Sequence, residues 1–208
     1  ERPMRRGAKP GKAKVKARRS VAGKSPKNDA SGRREAERRL AEALEQQTAT
    51  AEILRLIGSS PIDTQPVFGG IARSGVRVCG AQSCTVFVVD GDMLRVAATH
   101  GVPAERVERF RTQYPMPLSA RNHVTEMLHE RRIFHLADIE HNPAATPQDI
   151  ENARLGRYQT RLMVPMLRGN GALGLIAVTH KAPGPFSDEQ VALLQTFADQ
   201  AVIAIENV

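Results

Sequence analysis

Apolar positions along the chain change their spacing several times, and each spacing predicts a different element. Residues 1–32 carry only Met4, Val15 and Val21 as larger aliphatic or methionine side chains, at no regular interval. Such a segment buries too little apolar surface to offset the entropy of ordering it, so a disordered arm is expected. Residues 33–58, RREAERRLAEALEQQTATAEILRLIG, have no proline and no glycine before Gly58, and helix formers dominate. Leu40, Leu44, Gln47, Ala51 and Leu54 recur at 4-3-4-3 spacing, the stripe of a short coiled coil. Ile53, Leu56 and Ile57 add a second stripe near its end. The helix is therefore expected to pair with another chain through its first half and to pack on its own domain through its last turns. A single amphipathic helix on its own domain is the alternative.

From Ser59 the pattern becomes mixed. Pro66 to Val78 reads as a helix carrying Val67, Ile71, Val76 and Val78. Thr85 to Val89 is a β-rich run ending at Asp90-Gly91, and Leu94 to Thr99 reads as its hairpin partner. Ala104 to Tyr114 and Asn122 to Glu130 read as short helices separated by the break Pro115-Met116-Pro117. A short strand follows at Ile133 to Leu136, then a polar loop and a helix near Gln148–Leu155. Thr160 to Leu167 and Leu173 to Thr179 form the clearest hairpin, with positive φ expected at Asn170-Gly171. Ser187, with Gln190 three residues on, should cap a last helix bearing Val191, Leu194, Ala198, Ala201, Ile205 and Val208. Tight turns between strand pairs imply an antiparallel sheet, and apolar terminal helices imply a covered face.

Charge changes how this pattern is read. Residues 1–40 hold 15 Lys and Arg against 4 acidic residues, a net +11, while residues 41–208 hold 15 against 18, a net −3. The basic balance of +8 for the whole chain thus belongs to the arm and not to the folded part. Weak contact of the arm with nucleic acid or an acidic membrane surface stays open beside a plain solvated linker, which the composition favours. No apolar run nears the ~18 residues of a membrane span, and the N-terminus has no signal-peptide core, so a cytoplasmic domain is expected. The chain begins at Glu1 and ends within a helical pattern, and is read as a piece of a longer protein. Two cysteines, Cys79 and Cys84, are too few for a disulfide scaffold, and C-x4-C without a second pair gives a zinc site little support.

Several runs resemble one family. Thr160-Arg-Leu-Met-Val-Pro-Met-Leu, Gly171-Ala-Leu-Gly-Leu-Ile-Ala-Val, Pro185-Phe-Ser-Asp-Glu-Gln and Phe197-Ala-Asp-Gln-Ala-Val-Ile-Ala-Ile-Glu-Asn-Val look like the second half of a GAF domain. Arg77-Val-Cys-Gly-Ala and Glu130-Arg-Arg-Ile-Phe-His-Leu-Ala-Asp also fit, and the helix from Leu40 resembles the lead-in to GAF domains of bacterial sensor histidine kinases. Each motif is weak alone; their order and spacing together are specific. The resemblance implies an α+β fold, a six-stranded antiparallel sheet with helices on both faces (GAF/PAS-like), preceded by a coiled-coil helix. The organisation expected is a basic arm over 1–32, a signalling helix over 33–58 and a GAF domain over 59–208.

The resemblance further implies a non-catalytic sensory module that binds a small ligand or partner and relays the signal through dimerising terminal helices. An output domain in the same polypeptide would follow. The dimer interface is expected at Leu40, Leu44, Ala51, Leu54, Leu194, Ala201 and Ile205. The ligand pocket is expected from the middle insertion, at Phe110, Tyr114, Met116, His123, Met127, Tyr158 and Arg161, which mix apolar walls with few polar groups. The sequence runs of bilin-binding and cyclic-nucleotide-binding members are missing, so the cofactor is left unknown.

Two readings stand beside this one. The first is a structural dimerisation module without a ligand. The second is a free methionine sulfoxide reductase, a chemistry of some small GAF proteins, which needs a nucleophilic thiolate in the pocket and a resolving partner. Other apparent chemistry fails on context. Gly169-Asn-Gly171-Ala-Leu-Gly174 matches GxGxxG by letter, but both flanks read as strands, whereas a dinucleotide site needs a helix after it. His129-Glu130-Arg131-Arg132 suggests a kinase phosphoacceptor, but its helix is short and runs into a strand. His123 and His129, like His135 and His141, are six apart, not at the i, i+4 spacing of a helical metal pair.

Overall fold

The structure is a computed structural model, and it describes residues 31–41, 43, 44, 47, 48, 51 and 65–206. The chain divides into two compact units, residues 1–40 and 41–208. Residues 31–41 form helix α1, and 43, 44, 47, 48 and 51 are also helical. Charged pairs at helical spacing support α1, such as Arg33–Glu37 at 3.2 Å and Arg39–Glu35 at 3.0 Å. Exposed pairs of this kind contribute little to stability, because water screens both charges. Of the seam residues, Leu40, Leu44, Gln47 and Ala51 are exposed, while Leu54 and the second stripe at Ile53, Leu56 and Ile57 lie outside the described residues. Residues 1–30 of the basic arm expected over 1–32 also lie outside them, while Ser31 and Gly32 belong to α1.

The second unit runs α2 (Gln65–Val78), β1 (Ser83–Asp90), β2 (Met93–His100), α3 (Ala104–Gln113), β3 (Met116–Pro117), α4 (His123–Glu130), β4 (Phe134–Leu136), α5 (Pro147–Gly156), β5 (Thr160–Arg168), β6 (Gly171–His180) and α6 (Asp188–Glu206). The strands form one antiparallel sheet in the order β3-β2-β1-β6-β5-β4. The Pro115-Met116-Pro117 break thus contains an edge strand, pairing Met93 with Pro117 and Leu94 with Met116. An edge is where proline is tolerated, because the missing N–H has no ladder partner to lose.

Both faces of the sheet are covered, which is why β5 and β6 read as near-continuous apolar runs and not as alternations. On one face, Leu162, Val164 and Met166 of β5 and Ile176 and Val178 of β6 pack with Ile71 of α2 and Leu194, Phe197, Ala198 and Ala201 of α6. Leu194 and Ala201 are fully buried there, so they belong to the domain's own core and cannot also present a dimer surface. Ile205 is partly buried against the same cluster, and Ile203 is the large apolar side chain that α6 leaves exposed. The expected cap is present: Ser187 Oγ accepts from Gln190 N at 3.2 Å, and Ser187 N donates back to Gln190 Oε1 at 2.8 Å. Gln190 also donates to Cys79 O at 2.7 Å, tying the start of α6 to the end of α2.

The β5–β6 turn differs from its sequence reading. Its central residues are Gly169 and Asn170, and the positive φ falls on Gly169 at +52°, not on Asn170 or Gly171. Glycine therefore leads this turn, as in a type II′ hairpin. Gly174 is needed for a different reason: a Cβ there would stand 2.1 Å from Phe87 O. The three glycines of the apparent GxGxxG are thus accounted for by a hairpin and a close approach to the neighbouring strand β1.

Candidate functional site

The second face of the sheet carries the site. Cross-strand partners put Ser83 beside Thr179 and Thr179 beside Arg161, while Thr85 pairs with Ala177 and Ala177 with Met163. Phe87 pairs with Leu175. One end of this floor is therefore polar and the other apolar. The alternation that buries Cys84, Val86 and Leu162 on the first face presents these residues on the second.

Helices α3, α4 and α5 roof this floor and leave a cavity of about 560 Å³. Phe110, Tyr114, Met116, His123, Tyr158 and Arg161 line it. Met127 does not: it is fully buried beneath α4, in a cluster with Leu128, Phe134 and Leu136. It lies on the inward side of a short helix, packed in the core cluster beneath the roof.

Each roof helix is fixed by a local device. On α3, Arg106 and Phe110 stand four residues apart and share the buried side. The Arg106 guanidinium lies over the Phe110 ring at 4.3 Å and donates to Gln113 Oε1 at 3.2 Å. Phe87, Phe110 and Tyr114 form a mutual aromatic cluster with centroids 5.1–5.9 Å apart. Withdrawal from water pushes the Tyr114 phenol up to about 12, so it faces the cavity as a neutral O–H. On α4, Asn122 and Thr125 form a capping box, with Asn122 Oδ1 accepting from Val124 N and Thr125 N. His123 follows directly, and its ring packs against Phe134 with centroids 4.5 Å apart and planes tilted by 43°.

The start of α5 joins the roof to the floor. Thr146 caps it, and Asp149, its third residue, accepts from Thr146 N at 2.9 Å and Thr146 Oγ1 at 2.6 Å. The other Asp149 oxygen accepts from Arg161 Nη2 at 2.5 Å. Burial alone would raise the Asp149 pKa, but the Arg161 charge and the Thr146 hydrogen bonds outweigh it and hold the carboxyl below its ordinary range. His123 Nδ1 comes within 2.7 Å of Asp149 Oδ2 but lacks the alignment of a hydrogen bond.

Sequence reasoning missed Arg106, Asp149, Ser83, Thr85 and Thr179 as cavity residues. Two signals for them were legible. Thr146-Pro-Gln-Asp149 has the Ser/Thr-x-x-acid form of a helix start, and Arg106 stands one turn before Phe110. The floor hydroxyls carry no such signal, because only the strand register decides which face they take.

The cysteines lie elsewhere. Cys79 and Cys84 are both free and fully buried in the cluster on the first face, so neither thiol lines the cavity. Burial pushes Cys79 up to about 12 and Cys84 higher still, the nearby Cys79 adding to the latter. His129 Nδ1 is engaged with the Thr125 carbonyl at 2.7 Å. Among the described residues no group of three or more His, Cys, Asp or Glu side chains could hold a metal ion, and no helix is long and apolar enough to cross a membrane.

Comparison with known proteins gives a consistent picture. The family described as GAF domain matches residues 63–205. The fold is similar to that of the GAF domain from a phosphoenolpyruvate-protein phosphotransferase of Coxiella burnetii, at 16% identity and a TM-score of 0.63, covering 79% of this chain and 94% of that one. It is similar to the GAF domain/HD domain protein from Geobacter sulfurreducens, at 21% identity and a TM-score of 0.60, covering 71% and 95%. A domain assigned to a two-component sensor histidine kinase of Sinorhizobium meliloti 1021 is similar at 12% identity and a TM-score of 0.57, covering 69% and 91%. No curated protein matches the sequence.

Proposed function

Since the chain belongs to the GAF domain family, whose members are sensory modules of signalling proteins, we propose that it is a non-catalytic input module whose cavity binds a small ligand. The observation that carries this reading is the cavity of about 560 Å³, within the ~300–1,000 Å³ of ligand sites, walled by aromatic side chains with a few buried polar groups. The roof helices α3, α4 and α5 rest on the second sheet face, and α2 and α6 on the first. A ligand that draws the roof together would strain the sheet and so bias α6 and the exposed apolar positions Leu40 and Leu44.

In this reading the parent protein is of the sensor-histidine-kinase type, the first helix pairs two copies, and an output domain responds to their arrangement. The likeness to the Sinorhizobium domain and the seam of Leu40, Leu44 and Ala51 support it. The burial of both thiols on the face opposite the cavity argues against a sulfoxide reductase.

The test is a thermal-shift screen of small molecules on the 208-residue chain, repeated on Ala177→Phe. Ala177 lines the cavity floor, so the added ring should occupy the ligand's space. A compound that stabilises the parent chain but not the variant supports the reading. Stabilisation undiminished in Ala177→Phe would place the site elsewhere. A second arm follows disulfide crosslinking of Leu44→Cys with and without the compound; identical rates would remove the relay.

A further inference from the structure

The cavity holds more positive charge than its walls neutralise. Arg106 and Arg161 both line it, and they are 7% and 6% exposed. Asp149 is the only carboxylate among its described lining residues, and its oxygens are already taken by Arg161 and Thr146. Arg106 forms no ion pair among the described residues; its partners are the Gln113 amide oxygen and the Phe110 ring. Arg161 uses one nitrogen on Asp149, while its enclosed Nε has no hydrogen-bond partner. The first turn of α5, at Thr146, Pro147 and Gln148, opens on the same space and adds the positive end of a helix. A buried guanidinium without a counter-ion is strongly unfavourable, because its lost hydration is replaced by nothing of opposite charge.

Size and shape restrict what the counter-ion can be. A volume of about 560 Å³ far exceeds a bare inorganic ion, given the ~30 Å³ that one water occupies. The charged end also adjoins an aromatic wall, because Arg106 lies on Phe110, which packs edge-on to Phe87 and Tyr114. The fork of a guanidinium matches the two coplanar oxygens of a carboxylate.

We propose that the cavity takes a small aromatic carboxylate, its charged group between Arg106 and Arg161 and its ring against Phe87, Phe110 and Tyr114. This rests on the reading of the cavity as a ligand site and adds the ligand's chemical class. Burial makes the Arg106 guanidinium easier to deprotonate, and an anion beside it would reverse that effect.

The experiment is calorimetric titration of the 208-residue chain with benzoate, phenylacetate and indole-3-acetate, each paired with its amide, and with phenyl phosphate. At least one acid should bind with a Kd below about 1 mM and at least about tenfold tighter than its amide. Arg106→Gln should weaken that acid by about tenfold or more while the chain stays folded, because Arg106 leaves no buried carboxylate behind. Arg161→Gln alone strands Asp149, so it is made together with Asp149→Asn; this double variant should abolish the preference for acid over amide. An acid and amide that bind equally would overturn the anion while leaving a ligand site intact. Phenyl phosphate binding tenfold tighter than every acid would overturn the carboxylate. Failure of all seven probes would overturn the proposal; a neutral hit in the thermal-shift screen, lost in Ala177→Phe, would then show the site itself to stand.

Discussion

Arg161 on β5 and Asp149 at the third position of α5 meet at 2.5 Å, with side chains 7% and 6% exposed. The pair joins a roof helix to the sheet floor, and it does so inside the candidate site. Breaking a buried pair by removing one partner leaves the other charged and unsolvated, at ~3–5 kcal/mol. Asp149→Ala should therefore lower the unfolding free energy by about 3 kcal/mol, read from urea denaturation. Asp149→Asn combined with Arg161→Gln should recover part of that loss.

The same pair sets a pH dependence. Asp149 is held below its ordinary value of 3.8, so the folded state binds this proton less readily than the unfolded chain. Its contribution is complete above pH 3.8 and is lost as pH falls further, through the lowered folded value. The stability gap between the parent chain and Asp149→Asn should be constant from pH 7 to about 5 and close progressively below about 4. A gap that persists unchanged to pH 2 would mean that the carboxylate charge is not what stabilises the pair.

How much of this was legible in the sequence depended on which force fixed each feature. Local chemistry was readable: the Ser187–Gln190 cap, both hairpins and the helix at Asn122 follow from short-range preferences. So was part of the cavity wall, because Phe110, Tyr114, Met116 and His123 lie on the insertion that roofs it. Strand pairing was harder. β3 is only two residues long and contains a proline, so it is defined by its partner β2 and not by its own propensity. The burial of the last helix was expected, but whether Leu194 and Ala201 form a dimer surface as well was not resolved by the pattern, since a 3-4-3-4 stripe describes equally a helix on a sheet and a helix on a second helix. Arg106 resisted for the opposite reason: arginine is a surface residue by default, and burial here is set by the tertiary fold.

Glycine positions separate strain from clash. At Gly174 an added Cβ would meet backbone atoms, 2.1 Å from Phe87 O and 2.9 Å from Val88 Cα, which cannot rotate away. Gly174→Ala should destabilise by on the order of 3 kcal/mol. At Gly169 nothing lies within 4 Å and only the φ of +52° is unfavourable. Gly169→Ala should cost about 1 kcal/mol, so their urea midpoints should differ clearly.

Leu40 and Leu44 are exposed at 62% and 54%, on a helix whose charged residues pair along its own surface. Large leucines that the chain itself does not cover are what a second copy would bury. Leu40→Asp with Leu44→Asp should convert a dimeric chain to a monomer in light scattering, with the thermal midpoint of the GAF domain unchanged. A parent chain that is already monomeric would remove the dimer reading outright.

Cys79 and Cys84 test whether the first face is sealed. A thiol reacts as its thiolate, and burial pushes Cys79 from 9.0 up to about 12, with Cys84 raised further. Neither should react with a thiol reagent at pH 8 in the native chain, and both should react once it is unfolded in denaturant. The linkage runs opposite to that of Asp149. Between pH 9 and about 12 the unfolded chain loses these protons while the folded chain retains them, so stability is intact below pH 9 and falls above it. Cys79→Ala should flatten that alkaline decline in thermal melts from pH 8 to 11, because the group that titrates only on unfolding is gone. Rapid native labelling of either cysteine at pH 8 would show that the α2–α6 face opens readily, and would reopen thiol chemistry for this domain.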